Sequence, residues 1–249
     1  MEGAAVLGRL AWREAIIREV RAETPSAKTL VLDVPGWPGH AAGQHVDIRL
    51  TAEDGYQAQR SYSIASAPGS ADLELMVETI DDGEVSPYLT EDAQPGDGFE
   101  LRGPIGGYFV WRPGLDGPLL LVGGGSGLVP LMAMLRHRRT TGDGTDARLL
   151  LSARTLEEVI YRSELEELAA GSVQVGITLT RGEAPPGWAG WTRRIDREML
   201  SEVGPAPSLR PRAYVCGPTP FVEEAARLLV ELGHEPARVH TERFGPTGG

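Results

Sequence analysis

The sequence predicts an N-terminal antiparallel β-barrel followed by an α/β doubly wound parallel sheet. In the first half, short runs of strand-forming residues alternate with turn residues, which is typical of a barrel. In the second half, continuous apolar runs alternate with helical segments, which indicates a parallel sheet covered on both faces. The pattern changes at residues 111–118, WRPGLDGP, whose composition predicts a linker. We therefore expect one domain over residues 1–113 and a second over residues 118–249.

Six short segments form the predicted barrel. The periodicity of the first segment fits a helix or a strand, and its position among other strands favours a strand. The six predicted strands are Trp12–Ala22, Lys28–Val34, His45–Leu50, Ser61–Ser66, Asp72–Thr79 and Phe99–Arg102.

The second half repeats an apolar strand and a helix four times, and a fifth strand closes it. The predicted strands are Leu119–Val122, Arg148–Leu151, Val173–Leu179, Ala213–Cys216 and Arg238–Thr241. The predicted helices are Leu128–Arg139, Glu157–Ala169, Asp196–Val203 and Phe221–Leu232.

Composition disfavours several classes of function. The 35 acidic and 24 basic residues give a net charge of −11, which argues against a nucleic-acid partner or a polybasic membrane surface. The single cysteine, Cys216, cannot build a disulfide or an iron–sulfur cluster within one chain, and the five histidines lack metal-ligand spacing. We find no signal-peptide pattern and no bilayer-spanning apolar run. We therefore expect a cytoplasmic protein without a metal site.

A glycine-rich loop follows the first strand of the second half and opens a helix. Residues 121–130 read LVGGGSGLVP, and glycines let the backbone approach a phosphate group at a helix N-terminus. The loop lacks the Gly-Lys-Ser/Thr of ATP-binding loops, and Leu128 stands where a dinucleotide fingerprint has its third glycine. A tight turn could also use glycine for packing alone. Four glycines in five residues exceed what a turn needs, which favours a ligand site.

A second segment, residues 60–66, reads RSYSIAS at the end of a predicted barrel strand. Alternation places Arg60, Tyr62 and Ile64 on one side of the strand. An arginine can pair with a phosphate, a tyrosine can cover a ring, and a serine can donate or accept a hydrogen bond. An ordinary strand with a surface arginine explains the segment equally well, so the residues alone leave both interpretations open.

The ordered set of motifs resembles the ferredoxin–NADP reductase superfamily over nearly the whole chain. RSYSIAS is followed by GGGSGLVP and then by Cys216-Gly217-Pro218. Four further pieces fall in the family's order: AGQHV at 42–46, GEVS at 83–86, GPIG at 103–106 and ERFG at 242–245. The resemblance implies a barrel that binds FAD or FMN and an α/β domain that binds NAD(P)H.

The resemblance also implies which residues meet the flavin. Arg60 would contact a flavin phosphate, Tyr62 would lie against the isoalloxazine, and Ser63 would hydrogen-bond N5, the atom that receives hydride. The turn at 83–86 would bind the pyrophosphate, and this second anchor favours FAD over FMN. The implied flavin-binding residues are Arg60, Ser61, Tyr62, Ser63, Gly83, Val85, Ser86 and Phe244.

In the second half, the glycine-rich loop would face the phosphates of the nicotinamide cofactor. Cys216 would lie near nicotinamide C4, although lone cysteines are often buried hydrophobes. The resemblance makes Ser63, Cys216 and Glu242 the catalytic candidates. The implied nicotinamide-binding residues are Gly124, Gly125, Ser126, Gly127, Cys216, Gly217 and Pro218.

Arginines after the third α/β strand favour NADPH over NADH, with NADH still possible. NADP-dependent relatives carry a hydroxyl residue and basic residues here, which Thr180, Arg181 and Arg194 match, with Arg154 as a further contributor. A carboxylate, which would bind a free ribose diol, does not directly follow Leu179. The arginines could instead form a solvated face.

The implied function is a flavin-dependent NAD(P)H oxidoreductase. Oxygenase reductases of this family often carry an iron–sulfur domain that needs four cysteines. With one cysteine in the sequence, we expect a separate electron acceptor such as a ferredoxin, an oxygenase component or a cytochrome. Two alternatives are a reductase of small molecules, such as flavin, ferric chelates or quinones, and a non-catalytic redox-sensing module.

Two other motifs have competing explanations. Residues 136–139, Arg-His-Arg-Arg, could dock an acidic partner, but cations at a helix end also complement the helix dipole, and we favour that explanation. Trp188 and Trp191 could pack on adenine or close a loop over the core.

Overall fold

The N-terminal half is a six-stranded antiparallel barrel. The computed structural model describes residues 10–245 except Glu53 and Asp81. The strand order is β4-β3-β6-β1-β2-β5, and a bridge between Ile64 and Leu75 joins the two edges. The Ala65 amide donates to the Glu74 carbonyl at 2.8 Å beside that bridge. The strands are β1 (Arg13–Thr24), β2 (Ala27–Asp33), β3 (His45–Thr51), β4 (Gln57–Ser63), β5 (Leu73–Glu78) and β6 (Gly98–Ile105).

The C-terminal half is a five-stranded parallel sheet with helices on both faces. The strand order is β11-β10-β7-β8-β9. The first strand, β7, is central; β8 and β9 lie on one side of it, and β10 and β11 lie on the other. Helices α1 and α2 cover one face, and α3 and α4 cover the other. The elements are β7 (Leu119–Gly124), α1 (Leu128–Thr141), β8 (Ala147–Ala153), α2 (Arg162–Ala170), β9 (Val173–Leu179), α3 (Arg197–Val203), β10 (Arg212–Pro218), α4 (Thr219–Glu231) and β11 (Val239–Phe244).

The predicted barrel and doubly wound sheet are confirmed, but several predicted elements have different bounds, and the starts of two of them are furthest from the structure. The predicted strand Ser61–Ser66 is β4, which begins earlier, at Gln57, because its polar residues pair in register with β3, and ends at Ser63. The predicted helix Glu157–Ala169 begins five residues later, at Arg162. Tyr161, directly before that helix, has a left-handed backbone with φ of 53°, which a continuous helix excludes.

Helix α1 lies between the sheet and the barrel and is buried around its whole circumference over residues 128–135. Its apolar side chains share one core with Ala42, Ala65 and Met76 of the barrel half. The 111–118 segment, predicted as a linker, contributes to this core because the Trp111 side chain is only 1% exposed. The Trp111 amide also donates to the Ala42 carbonyl at 3.1 Å. The connection is therefore anchored at its first residue. Within the described part of the chain, no helix is both long and apolar enough to cross a membrane.

We predict that Trp111→Ala lowers the free energy of unfolding by about 3–5 kcal/mol, because it removes a large side chain from the core shared by both halves. Urea unfolding monitored by circular dichroism measures the change. The control is Leu209→Ala at a side chain that is 55% exposed, where a change within about 0.5 kcal/mol is expected. Equal effects of the two substitutions would contradict this role for Trp111.

Candidate active site

The glycine-rich loop lies at the point where the strand order of the sheet reverses. Strands β7 and β10 are neighbours, but their following helices cover opposite faces, and ligands of such sheets bind outside the carboxyl ends of these two strands. Gly125 has a φ of +55°, a conformation that favours glycine. A Cβ on Gly127 would lie 2.2 Å from the Cys216 carbonyl oxygen. Glycine at 127 therefore lets the start of α1 approach the end of β10.

Cys216 lies near the carboxyl end of β10, where the strand order reverses. It lies opposite Gly123 of β7 and Glu242 of β11 in the parallel registers, and its side chain is 1% exposed. Burial first, and the Glu242 carboxylate second, raise the pKa of the Cys216 thiol. The side chain is therefore a neutral thiol at physiological pH.

Glu242 connects this sheet edge to the barrel. Its Oε1 lies 3.7 Å from Nδ1 of His45, which begins β3 directly opposite Ser63 of β4. The second carboxylate oxygen, Oε2, is buried and has no hydrogen-bond partner among the described residues. A buried carboxylate oxygen without a donor is costly, so the site is suited to a ligand or water that donates there.

The structure thus brings Ser63, Cys216 and Glu242 to one junction between the two halves. His45 lies among them and was missed as a site residue in the sequence analysis. The only available signal was its place in the AGQHV motif, because pairing with Ser63 and Glu242 depends on strand register and on packing between the halves.

Three further residues of β4 that the resemblance assigns to the flavin, Arg60, Ser61 and Tyr62, make their contacts within the barrel half. Arg60 is exposed, its Nη1 donates to the Gln59 carbonyl at 2.7 Å, and its Nη2 lies 3.8 Å from Glu84. Burial raises the pKa of the partly buried Tyr62. The Ser61 hydroxyl donates to Asp47 at 2.6 Å, so Ser61 already serves a hydrogen bond within the barrel.

The turn at 83–86 leads into a short helical turn at Tyr88–Asp92. The Gly83 amide donates to the Ile80 carbonyl at 2.7 Å, and the Ser86 hydroxyl accepts from the Ile80 amide at 3.0 Å. Both Val85 and Ser86 are buried. The Ser86 side chain therefore stabilises the turn itself.

Basic residues collect at the carboxyl ends of β8 and β9. The Thr180 amide and hydroxyl both donate to the Ala153 carbonyl, and the Arg181 amide donates to the Arg154 carbonyl at 2.8 Å. Among the described residues, Arg181 and Arg194 form no side-chain ion pair, whereas Arg193 binds Asp196 and Glu198.

The two tryptophans of the loop that follows β9 pack within their own half. The Trp188 indole NH donates to the Trp191 carbonyl at 3.2 Å, and Trp191 bridges back to Thr178 of β9. Both side chains are partly buried against the core, which favours loop closure as their role.

Phe244, on the last strand, lies opposite Pro218 and is 38% exposed. Gly217 and Gly124 are also neighbours, since a Cβ on Gly217 would lie 3.2 Å from the Gly124 Cα. Ser126 follows in the turn between β7 and α1.

Comparison with known proteins gives a consistent answer for both halves. Residues 16–110 match the oxidoreductase FAD-binding domain, and residues 121–227 match the oxidoreductase NAD-binding domain. A solved ferredoxin NADP+ reductase from Neisseria gonorrhoeae with bound FAD and NADP has the same fold, with a TM-score of 0.80, 24% identity, and coverage of 93% of this chain and 98% of that chain.

Two curated relatives are closer in sequence. Ferredoxin–NADP reductase B of Sorangium cellulosum is 34% identical over 236 residues, 92% of this chain and 91% of that protein. A glycine betaine monooxygenase reductase subunit of Chromohalobacter salexigens is 32% identical over 212 residues, 82% of this chain but only 56% of that protein. The two domains define an FAD-dependent NAD(P)H oxidoreductase. Within that class, the chain belongs to the ferredoxin–NADP reductase family.

We predict that iodoacetamide modifies Cys216 at least roughly tenfold more slowly in the folded protein than in urea at pH 8, because only the thiolate reacts. Since the pKa of the folded thiol is raised, modification should begin at a higher pH than in the unfolded chain. Mass spectrometry measures the labelled fraction against time. Glu242→Gln should lower the onset pH only slightly, because burial is the larger cause, and equal folded and unfolded rates would contradict the prediction.

Proposed function

We propose that this chain oxidises NADPH at the junction of its two halves and delivers the electrons to a separate acceptor, with a ferredoxin or an oxygenase component as the leading candidates. The observation that carries this proposal is that Ser63, Cys216 and Glu242 lie at one junction between the halves, beside the carboxyl ends of β7 and β10. The match to ferredoxin–NADP reductase B of Sorangium cellulosum, over 91% of that protein, supports a protein acceptor. A small-molecule acceptor is the alternative outcome of the acceptor assay.

The barrel residues fit a bound FAD. Arg60 presents an exposed guanidinium at the rim, and Tyr62 provides a partly buried aromatic face beside Ser63. We assign the FAD-binding domain to residues 1–113 and the NAD(P)H-binding domain to residues 118–249. Proposed contacts to the flavin come from Arg60, Ser61, Tyr62, Ser63, Gly83, Val85, Ser86 and Phe244.

The C-terminal half fits the nicotinamide cofactor. A glycine backbone at the start of α1 lets phosphates approach a helix N-terminus, whose dipole favours negative charge. The buried, neutral Cys216 provides an uncharged surface beside that loop. We propose that Gly124, Gly125, Ser126, Gly127, Cys216, Gly217 and Pro218 form this site.

The chemistry would belong to the cofactors, and the protein would supply orientation and electrostatics: FAD, when bound, would provide N5 as the acceptor for a hydride from nicotinamide C4. Ser63 offers a hydroxyl beside His45, and His45 lies 3.7 Å from the Glu242 carboxylate. We propose that Ser63, His45 and Glu242 hold and move the proton that accompanies electron transfer. Glu242 Oε2 is buried and has no donor in the part of the chain that the structure describes, so it is available to accept a hydrogen bond.

The family assignment argues against one alternative function and does not test two other expectations. A non-catalytic sensing module is not supported, because the chain belongs to a family of reductases. A cytoplasmic location remains a proposal from the sequence. The expected absence of nucleic-acid and membrane partners also remains a prediction.

We predict that the purified protein is yellow, releases FAD on denaturation, and is bleached by NADPH under anaerobic conditions. Cys216→Ala should retain FAD but reduce the rate of bleaching at least roughly tenfold, because orientation of the nicotinamide depends on contacts at this position. Mass spectrometry of the released flavin and stopped-flow absorbance measure both results. A protein that cannot be loaded with any flavin would overturn the proposal, and a Cys216→Ala variant with the parent rate would remove Cys216 from the site.

We predict that kcat/KM is higher for NADPH than for NADH and that Arg181→Ala lowers the ratio roughly five- to fiftyfold, which corresponds to loss of a charged hydrogen bond. Arg181 has no carboxylate partner among the described residues, so it is free to bind the 2′-phosphate. Arg193→Ala is the matched control, because Asp196 and Glu198 already bind Arg193. A parent that prefers NADH, or equal ratios in parent and Arg181→Ala, would contradict this assignment.

A further inference from the structure

The Arg-His-Arg-Arg segment of α1 has a structural role that neither the docking nor the dipole explanation describes. Arg136 and Arg138 are only 14% and 8% exposed, so these two guanidinium groups cannot form a surface patch. Arg139, at 55% exposed, is the accessible arginine of the segment. The dipole explanation is therefore wrong for Arg136, whose charge is bound by groups outside the helix.

Arg136 reaches from α1 into the barrel. Its Nη1 donates to the Ala65 carbonyl at 2.8 Å and to Glu74 of β5 at 3.3 Å. These contacts lie beside the bridge that closes the barrel, two residues after Ser63. One side of the guanidinium is thus fixed to the segment that carries the proposed flavin contacts.

The other side of the same guanidinium is bound by the C-terminal half. Nε and Nη2 donate to Glu164 of α2, with the Nη2 bond at 2.6 Å. The Tyr161 ring lies under the guanidinium, 4.6 Å from its carbon, and its hydroxyl is 3.5 Å from Thr29 of β2. Burial lowers the pKa of Arg136, but Glu164, Tyr161 and Glu74 together outweigh burial and raise the pKa overall, so the group stays charged.

The position of Arg136 along α1 gives these contacts a consequence for the reaction. The helix begins directly after Gly127, which packs on Cys216, and Arg136 follows two turns later, about 12 Å along the axis. A rigid helix therefore connects the Ala65 contact to the loop that faces the nicotinamide cofactor. Hydride transfer is sensitive to placement, since an error of about 1 Å can cost on the order of a hundredfold in rate.

We propose that Arg136 is a positioning residue, which sets the distance between the flavin and nicotinamide sites by binding Ala65 and Glu74 of the barrel together with Glu164 of the α/β half. This inference rests on the proposed function, because it assigns a role within the same reaction. It predicts that loss of Arg136 disturbs the alignment of two cofactors that each still bind.

The test compares FAD-loaded parent, Arg136→Gln and Arg138→Gln after anaerobic mixing with NADPH. Arg138 is a matched control because it is a buried arginine of the same helix whose guanidinium, among the described residues, bonds only Thr145 and Ser172 of its own half. Three quantities are measured: the rate of flavin bleaching, the long-wavelength charge-transfer absorbance between flavin and nicotinamide, and the Kd for NADP+.

Arg136→Gln should keep its FAD and bind NADP+ within about twofold of the parent, while the bleaching rate falls at least roughly tenfold and the charge-transfer absorbance weakens. Arg138→Gln should retain both the rate and the absorbance. Parent rate and absorbance in Arg136→Gln, or equal losses in both variants, would overturn the inference. A parent that NADPH does not bleach would instead overturn the proposed function.

Arg136→Lys keeps the charge and covers the case in which Arg136→Gln does not fold. A lysine has no planar fork, so it cannot reproduce the two-nitrogen bond to Glu164 while a separate nitrogen binds Ala65 and Glu74. The variant should therefore show the same loss of charge-transfer absorbance with a smaller fall in rate. Parent values for both quantities in Arg136→Lys would overturn the inference.

Discussion

The structure depends on the burial of α1 from every side. A helix that covers a sheet normally exposes one polar face to water, but the first two turns of α1 have none. The sheet covers one side of the helix, and the barrel with Trp111 covers the other. Burial of this apolar surface stabilises both halves at once, because the barrel removes from water the side of α1 that the sheet does not cover. The orientation of the barrel relative to the sheet follows from that shared core.

Burial also determines the electrostatics of the junction. Cys216 and Glu242 are adjacent in the parallel register, and burial first, with the Glu242 carboxylate second, raises the pKa of the Cys216 thiol and keeps it protonated. One oxygen of the Glu242 carboxylate faces His45, and the other has no donor within residues 10–245 as far as the structure describes them. A site of this kind is poorly stabilised by the protein alone, which is consistent with a place built for cofactors.

The class of each half could be predicted because it depends on local periodicity. The apolar run Leu119–Val122 by itself predicts a buried strand, and the glycine-rich loop by itself predicts a close backbone approach. The close approach of Gly127 to Cys216 confirms the second prediction. The placement of Ser63 and Glu242 on either side of His45 could be expected only through family resemblance. His45 and Arg136 could not be predicted as they are, because their partners lie far away in sequence and periodicity does not determine tertiary neighbours. The start of β4 at Gln57 was missed for a related reason, since polar residues of an outward face join a strand through register.

The shared core around Trp111 limits how relatives can be recombined. A barrel from one family member joined to the α/β half of another would meet an α1 surface shaped for different side chains, and voids or overlaps would follow at the seam. Exchange of the barrel together with α1 and residues 111–118 would keep that seam intact and move the mismatch to the contact between α1 and the sheet. The natural unit of exchange in this chain therefore crosses the apparent domain boundary.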